Sequence, residues 1–313
     1  MKHILQIGVL IACYTSSVCA ETMSSIDGRS RLGLLVQRDY VDLKEQGIRS
    51  SSLGMIANGK SFDLVGLYSE YSFERQLEYG YPANYKSIDL LLDAKVGELQ
   101  YVSIFKSVSD HPVSGGLSTY QIGATLGYPI VDRSNFSVIL GAGFAFGDFD
   151  IETSSGETWP LIPVPLLRIN YQSDLVETKF EFITSPNLSF TFYPQKRLRL
   201  TGDVRLDQAR DARDVIFNFN LAYRFFSDKS RYGDFAGISL GIKNDNYGEF
   251  ILGGKKGEET LEVHYYAAFV SLDLSLVKIT GGYAFDGREL YRGNLERDVG
   301  NGAFISVQGI IPF

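Results

Sequence analysis

Cysteine, histidine and tryptophan are nearly missing from this chain of 313 residues, which has two Cys, three His and one Trp. Both cysteines, Cys13 and Cys19, fall in the first twenty residues, where Lys2 and His3 lead an apolar stretch from Ile4 to Ala12. Val18 and Ala20 supply the small residues of a leader-type cleavage site, so residues 1–20 are expected to be a cleaved secretory signal peptide and residues 21–313 the mature domain. The 293 residues that follow would carry no thiol, which excludes a disulfide or a thiolate metal site in an oxidising compartment. A rival reading makes Cys19 a lipidated amino-terminus, but Val18 stands where such sites carry Gly, Ala or Ser.

Excess positive charge is also lacking. The formal net charge is −7, and −8 once Lys2 leaves with the signal, with 29 basic against 37 acidic side chains. That balance argues against a nucleic-acid partner. After residue 20 no uninterrupted apolar run approaches the roughly 18 residues that a transmembrane helix requires. No internal repeat, linker or low-complexity stretch divides the mature chain, so one domain is expected.

What is present is alternation. Residues 303–313 place Ala303, Ile305, Val307, Gly309, Ile311 and Phe313 on one face and Phe304, Ser306, Gln308, Ile310 and Pro312 on the other. Such segments, about 9 to 11 residues long, suit strands with lipid on one side and a lumen on the other. Tyr120, Ile122, Ala124, Leu126 and Tyr128 alternate with small or polar residues, as do Phe136, Val138, Leu140, Ala142, Phe144 and Phe146, and a short turn-rich link at 129–134 makes the two a hairpin. Tyr and Phe, 19 and 21 in number, gather near candidate strand ends, as interfacial girdles would.

Charge sets the sidedness. Over 197–207, Arg197, Arg199, Asp203, Arg205 and Asp207 alternate with Leu198, Leu200, Val204 and Leu206. An Arg facing lipid near the midplane costs about 2 to 4 kcal/mol, so these charges face the lumen. The same argument turns Asp89, Asp93 and Lys95 inward against Ile88, Leu90, Leu92, Ala94 and Val96, and Glu177, Lys179 and Glu181 inward against Val176, Thr178, Phe180 and Phe182.

Further strands are expected at 31–41, 48–57, 60–74, 98–107, 159–171, 187–193, 214–226, 233–243, 260–271 and 276–286, with the phase of 60–74 ambiguous. Short links suit one side of a membrane. Longer ones at 75–86, 108–116, 148–158, 208–213, 244–259 and 287–300 suit the other. Pro163 and Pro165 remove ladder donors, so the outer end of their strand is expected to fray or to stand above the bilayer. The count is 16, or 14 if the short hairpin at 176–184 and 187–193 does not span. The fold class is therefore all-β, a closed antiparallel up-and-down transmembrane β-barrel.

The terminal strand and the leader make the chain resemble single-chain bacterial outer-membrane β-barrel proteins of the porin-like kind, with no subfamily indicated. In that class a terminal Phe preceded by apolar residues at every second position is read by the barrel-assembly machinery. Phe313, Ile311, Val307 and Ile305 match, whereas Gly309 and Pro312 depart from the pattern. The resemblance implies a Gram-negative-type outer membrane, lipid contact, and periplasmic chaperones and the assembly machinery as partners, whereas about 16 strands leave room for an aqueous channel with small hydrophilic solutes as possible cargo.

Chemical signals are sparse. His264 would share the lumen with Glu262 and Tyr266 if Leu261, Val263 and Tyr265 faced lipid, and a barrel hydrolase would need such a base beside a nucleophile or paired acid. Nothing fixes that neighbour, so the plainer reading is a hydrogen-bonded lumen His and no enzyme. Asp110-His111 reads as a solvated loop. Gly141 to Gly147 fails the spacing of a phosphate loop, and Gly253-Gly254-Lys255-Lys256-Gly257 lacks a Walker ending. Asp148, Asp150, Glu152 and Glu157 lack the glycine and spacing of a calcium loop, so no metal or other cofactor is expected. Arg197, Arg199 and Arg205 form either an anion-selective stripe or one half of lumenal ion pairs. The reading is a channel for passive diffusion of small hydrophilic solutes. Its alternatives are a closed barrel with a structural or surface-binding role and, behind that, a hydrolase using His264.

Overall fold

The computed structural model describes residues 31–74, 84–113, 120–147, 160–183, 185–195, 197–206, 215–225, 236–251, 260–274, 276–291 and 295–313. The expected signal peptide, the acidic group at 148–157 and the glycine-lysine segment at 253–257 lie outside them.

Alternating side chains along extended backbone give sixteen strands. The first eight are β1 (Arg31–Leu43), β2 (Gly47–Asn58), β3 (Phe62–Phe73), β4 (Asn84–Val96), β5 (Leu99–Ser109), β6 (Tyr120–Arg133), β7 (Phe136–Gly147) and β8 (Leu161–Gln172). The second eight are β9 (Val176–Phe182), β10 (Pro186–Gln195), β11 (Leu198–Leu206), β12 (Val215–Arg224), β13 (Ala236–Ile251), β14 (Thr260–Leu274), β15 (Val277–Tyr291) and β16 (Leu295–Pro312). Each pairs antiparallel with its sequence neighbours. β1 and β16 close the ring in continuous register from Gly33 opposite Pro312 to Leu43 opposite Gly302. No helix among the described residues is long and apolar enough to cross a membrane.

The short hairpin belongs to the wall: β9 pairs with β8 and β10, and β10 with β11, which settles the count at sixteen rather than fourteen. The ambiguous phase of β3 resolves with Val65, Leu67, Ser69, Tyr71 and Phe73 turned inward and Phe62 and Tyr68 outward. Pro163 and Pro165 do not fray β8. Its ladder on β7 runs from Leu161, and the prolines fall where β8 has no second neighbour, because pairing with β9 begins only at Leu167.

The other corrections concern the end of the barrel away from Arg31 and Pro312, called here the distal end. Within 244–259 and 287–300, expected as loops, residues 244–251, 287–291 and 295–300 are strand: β13 runs to Ile251, β15 to Tyr291, and β16 starts at Leu295. Register shifts at Tyr247/Phe250, His264/Tyr266 and Ala284/Gly287/Arg288 bend these extensions. They lean across the opening far enough for Ile251 of β13 to pair in parallel with Ser109 of β5, on the opposite side of the ring. The connection at 44–46 is stitched to the extension of β16, with Lys44 N donating to Asn301 O at 3.1 Å and Glu45 N to Val299 O at 2.9 Å.

Glycine makes the bend possible where backbones touch. A Cβ on Gly302 would overlap the Asp42 carbonyl at the closing seam, and Gly300 has φ +79°. Gly302→Val is expected to lower stability by about 1 to 3 kcal/mol through overpacking at the seam. Gly281→Ala, whose added carbon would meet only the Phe304 carbonyl at 3.8 Å, leaves the protein unchanged. The midpoint of urea unfolding in lipid vesicles reads both.

Candidate functional site: the barrel interior

The exposed large apolar side chains sit on the outward phase of the strands, including Leu53, Leu126, Phe144, Leu240 and Tyr283. An apolar surface of that extent suits hydrocarbon rather than water. The inward phase bounds an interior with three differently filled regions.

The first is an ionic bridge. Arg168, from β8, is almost buried and ion-pairs with Asp93 of β4 at 2.8 Å and with Glu181 of β9, which also holds Lys179 at 2.8 Å. Gln100 donates to Asp93 as well. β4 and β8 are not neighbours in the sheet, so the Arg168 side chain crosses the interior. The inward residues of β5, β7 and β8 beside it are apolar and buried: Val102, Ile104, Ala145, Val164 and Leu166.

The second is a polar cavity with about 130 Å³ of room, enclosed by β1 to β3 and β12 to β16. On one wall Asp39 accepts from Gln37 at 3.0 and 2.9 Å and from Ser50 at 2.7 Å, and Ser52 and Ser69 share a 2.8 Å hydrogen bond. On the other, Lys243 pairs with Asp245 at 2.6 Å, Tyr265 OH donates to the same carboxylate at 3.1 Å, and Ser271 bonds Thr280 at 2.8 Å. Lys243 also lies 4.9 Å from the centre of the Phe304 ring.

The third is an apolar seal. Val41 and Leu43 of β1, Ile48 of β2, Tyr71 and Phe73 of β3 and Tyr85 of β4 pack into one buried cluster with Leu261, Val263, Tyr265 and Phe269 of β14 and with Tyr291, Val299 and Phe304. Phe73 and Tyr85 meet edge to face at 5.5 Å. Val41, Tyr71, Tyr265, Phe269 and Phe304 also line the polar cavity, so the seal is its distal roof. Beside the seal, buried Glu289 accepts from Gln46 at 2.8 Å and from Tyr291 OH at 2.6 Å, tying the 44–46 turn to β15.

This placement inverts the expectation for β14. Leu261, Val263 and Tyr265 do not face lipid; they point into the interior, and Glu262 and His264 take the other face. His264 Nε2 lies 3.0 Å from Glu262 within that pair, and His264 is not among the residues lining the cavity. His111, bonded to Asp110 at 3.0 Å, is exposed at the distal end of β5.

Of the other charged residues singled out by pattern, Asp89 is buried opposite Lys106, and Lys95 is exposed near the terminal end. Glu177 lies 3.5 Å from Gln172. Arg197 occupies the exposed turn between β10 and β11, whereas Arg199, Asp203 and Arg205 share the phase of buried Thr201 atoms and each has an interaction partner. The structure thus brings Asp93, Lys179 and Glu181 together, through Arg168, which pattern reading passed over. Its signal was a single charged residue in the strand, following the apolar run from Leu161 to Leu167. Ile305, Val307, Ile311 and Phe313 lie exposed along the outer face, and Phe313 N donates to Leu32 O at 2.8 Å. Among the described residues no group of three or more His, Cys, Asp or Glu could hold a metal ion.

Removing Arg168 would leave Asp93 without its cation and Glu181 with Lys179 alone. Arg168→Met is expected to cost about 3 kcal/mol or more, and Arg168→Lys less, since Lys keeps the charge but not the forked geometry. Urea unfolding in lipid vesicles is the measurement.

No family model and no curated protein matches the sequence. Among solved structures the chain is similar to CdiB from Acinetobacter baumannii at 9% identity and a TM-score of 0.47, covering 90% of this chain and 60% of that one, so it spans less than two thirds of CdiB. It is similar to Acinetobacter baumannii OccAB3 at 11% identity and a TM-score of 0.41, covering 91% and 99% of the two chains. A triple mutant of Rhodopseudomonas blastica porin gives 9% identity, a TM-score of 0.41, and 90% and 99% coverage. At these values the likeness carries no argument, and the closed sixteen-strand barrel stands on its own strand register.

Proposed function

We propose that the chain is a porin-like channel of a bacterial outer membrane, conducting small hydrophilic solutes along a narrow, gated path rather than through a wide open pore. The observation that carries this reading is the polar cavity: a closed ladder encloses it, Lys278 and Gln308 line it toward the terminal end, and the seal roofs it. On this reading the terminal end faces the periplasm and the leaning β13–β14 extension faces the exterior. Residues 1–20 serve as the export signal, and Phe313 with Ile311, Val307 and Ile305 engages the assembly machinery. The function is transport rather than catalysis.

A second reading has one observation in its favour. The seal and the Arg168 bridge fill much of the interior, as they would in a closed barrel with a structural or surface-binding role.

Planar-bilayer recording separates the two. The channel reading expects small conductance steps with long closed intervals. Hydrophobic constrictions gate by excluding water, so Val263→Asp is expected to hydrate the seal and lengthen the open intervals. Absence of steps from both the native protein and the variant, each shown to be folded by its heat-dependent electrophoretic mobility, would leave the closed barrel as the function. His264→Ala is expected to leave conductance unchanged.

A further inference from the structure

The polar cavity has a chemistry of its own, and we propose that it is a binding site for a small uncharged polyhydroxylated solute, in the size range from glycerol to a pentitol. The inference rests on the channel reading and names the class of solute that the path would favour.

Four charged side chains line the cavity, two of each sign: Asp39, Asp245, Lys243 and Lys278. The two carboxylates are already engaged. Gln37 and Ser50 hold Asp39, and Lys243 and Tyr265 hold Asp245. An entering anion therefore meets two carboxylates and an entering cation meets two ammonium groups, with no net charge in the wall to repay the loss of the ion's hydration. A strong ion site would need a surplus of one sign.

The rest of the polar lining is hydroxyl and amide. Ser52, Ser69, Ser271, Thr280, Ser306 and Gln308 can each donate and accept, which is the pairing that a run of solute hydroxyls requires. The Ser52–Ser69 and Ser271–Thr280 bonds face the cavity from β2–β3 and from β14–β15 and can be exchanged for bonds to the solute without stranding a buried charge. At the roof, Tyr71, Tyr265, Phe269 and Phe304 present aromatic surface, against which the C–H side of a polyol packs while its hydroxyls turn to the walls. A purely ionic ligand has no use for that roof.

The test uses ribitol, ribonate as the matching anion, and the full-length protein. Ligand-observed NMR in detergent should detect millimolar ribitol binding, with ribonate at least several-fold weaker. Ser52→Ala combined with Ser69→Ala should weaken ribitol about tenfold, the loss expected for roughly one to two hydrogen bonds. In proteoliposome swelling, ribitol should enter faster than ribonate. Ribonate binding as well as ribitol, or ribitol binding unchanged in the double variant, would overturn the proposal. Binding without any swelling would overturn the channel reading while the site stands. Swelling without ribitol binding would do the reverse.

Discussion

Closure of β1 onto β16 is the constraint from which the rest of the molecule follows. In hydrocarbon, each backbone amide or carbonyl left unpaired costs several kcal/mol, and an open sheet would expose two full rows of them. The seam from Gly33–Pro312 to Leu43–Gly302 removes both rows at once. Once the ring is shut, every residue has only two addresses, wall exterior or wall interior, and a one-residue slip would exchange them all. That is why arginines and carboxylates of β4, β8, β9 and β11 share the inward phase: the closed ladder leaves nowhere else for them.

The interior then divides by what each sector has to hide. Where Arg168 crosses from β8 toward β4, two carboxylates on different strands share one guanidinium, and the apolar residues beside it complete a filled sector. Across the ring, β1 to β3 and β12 to β16 keep serines, amides and paired charges around a cavity. The seal above it buries several large side chains, each worth about 1.5 to 3 kcal/mol. Exposing the whole cluster at once would therefore cost far more than thermal energy supplies.

Much of the wall was legible in the sequence because a charge on the wrong face is expensive and leaves a strong pattern. The short β9–β10 hairpin was readable on that ground, through Glu177, Lys179 and Glu181, and residues 303–313 and the β6–β7 hairpin from apolar alternation alone. The seal was not, for a physical reason: lipid outside and an apolar plug inside ask for the same side chains. Leu261, Val263 and Tyr265 alternate as lipid-facing residues would, and the polar Glu262 and His264 beside them complete the disguise. β3 hid its phase in the same way, with Val65 and Leu67 inward and Leu64 and Tyr68 outward. The one residual hint was in β14, where Ala267, Ala268, Phe269 and Val270 are apolar on both faces, more than a lipid boundary alone would ask. The pairing of Arg168 with Asp93 depends on how the ring curves, which no strand pattern encodes.

The wall is also uneven in height. β16 has 18 residues and β14 and β15 have 15 each, whereas β9 has only 7. At about 3.3 Å per residue and a tilt near 40°, seven residues reach roughly 18 Å along the membrane normal, short of the ~25 Å apolar band that such barrels usually present. In a bilayer, hydrophobic mismatch would fall on this flank, with acyl chains pinched inward beside β9 and at full thickness against β16. The uneven rim would thus set a thin spot in the lipid collar on the β9 side.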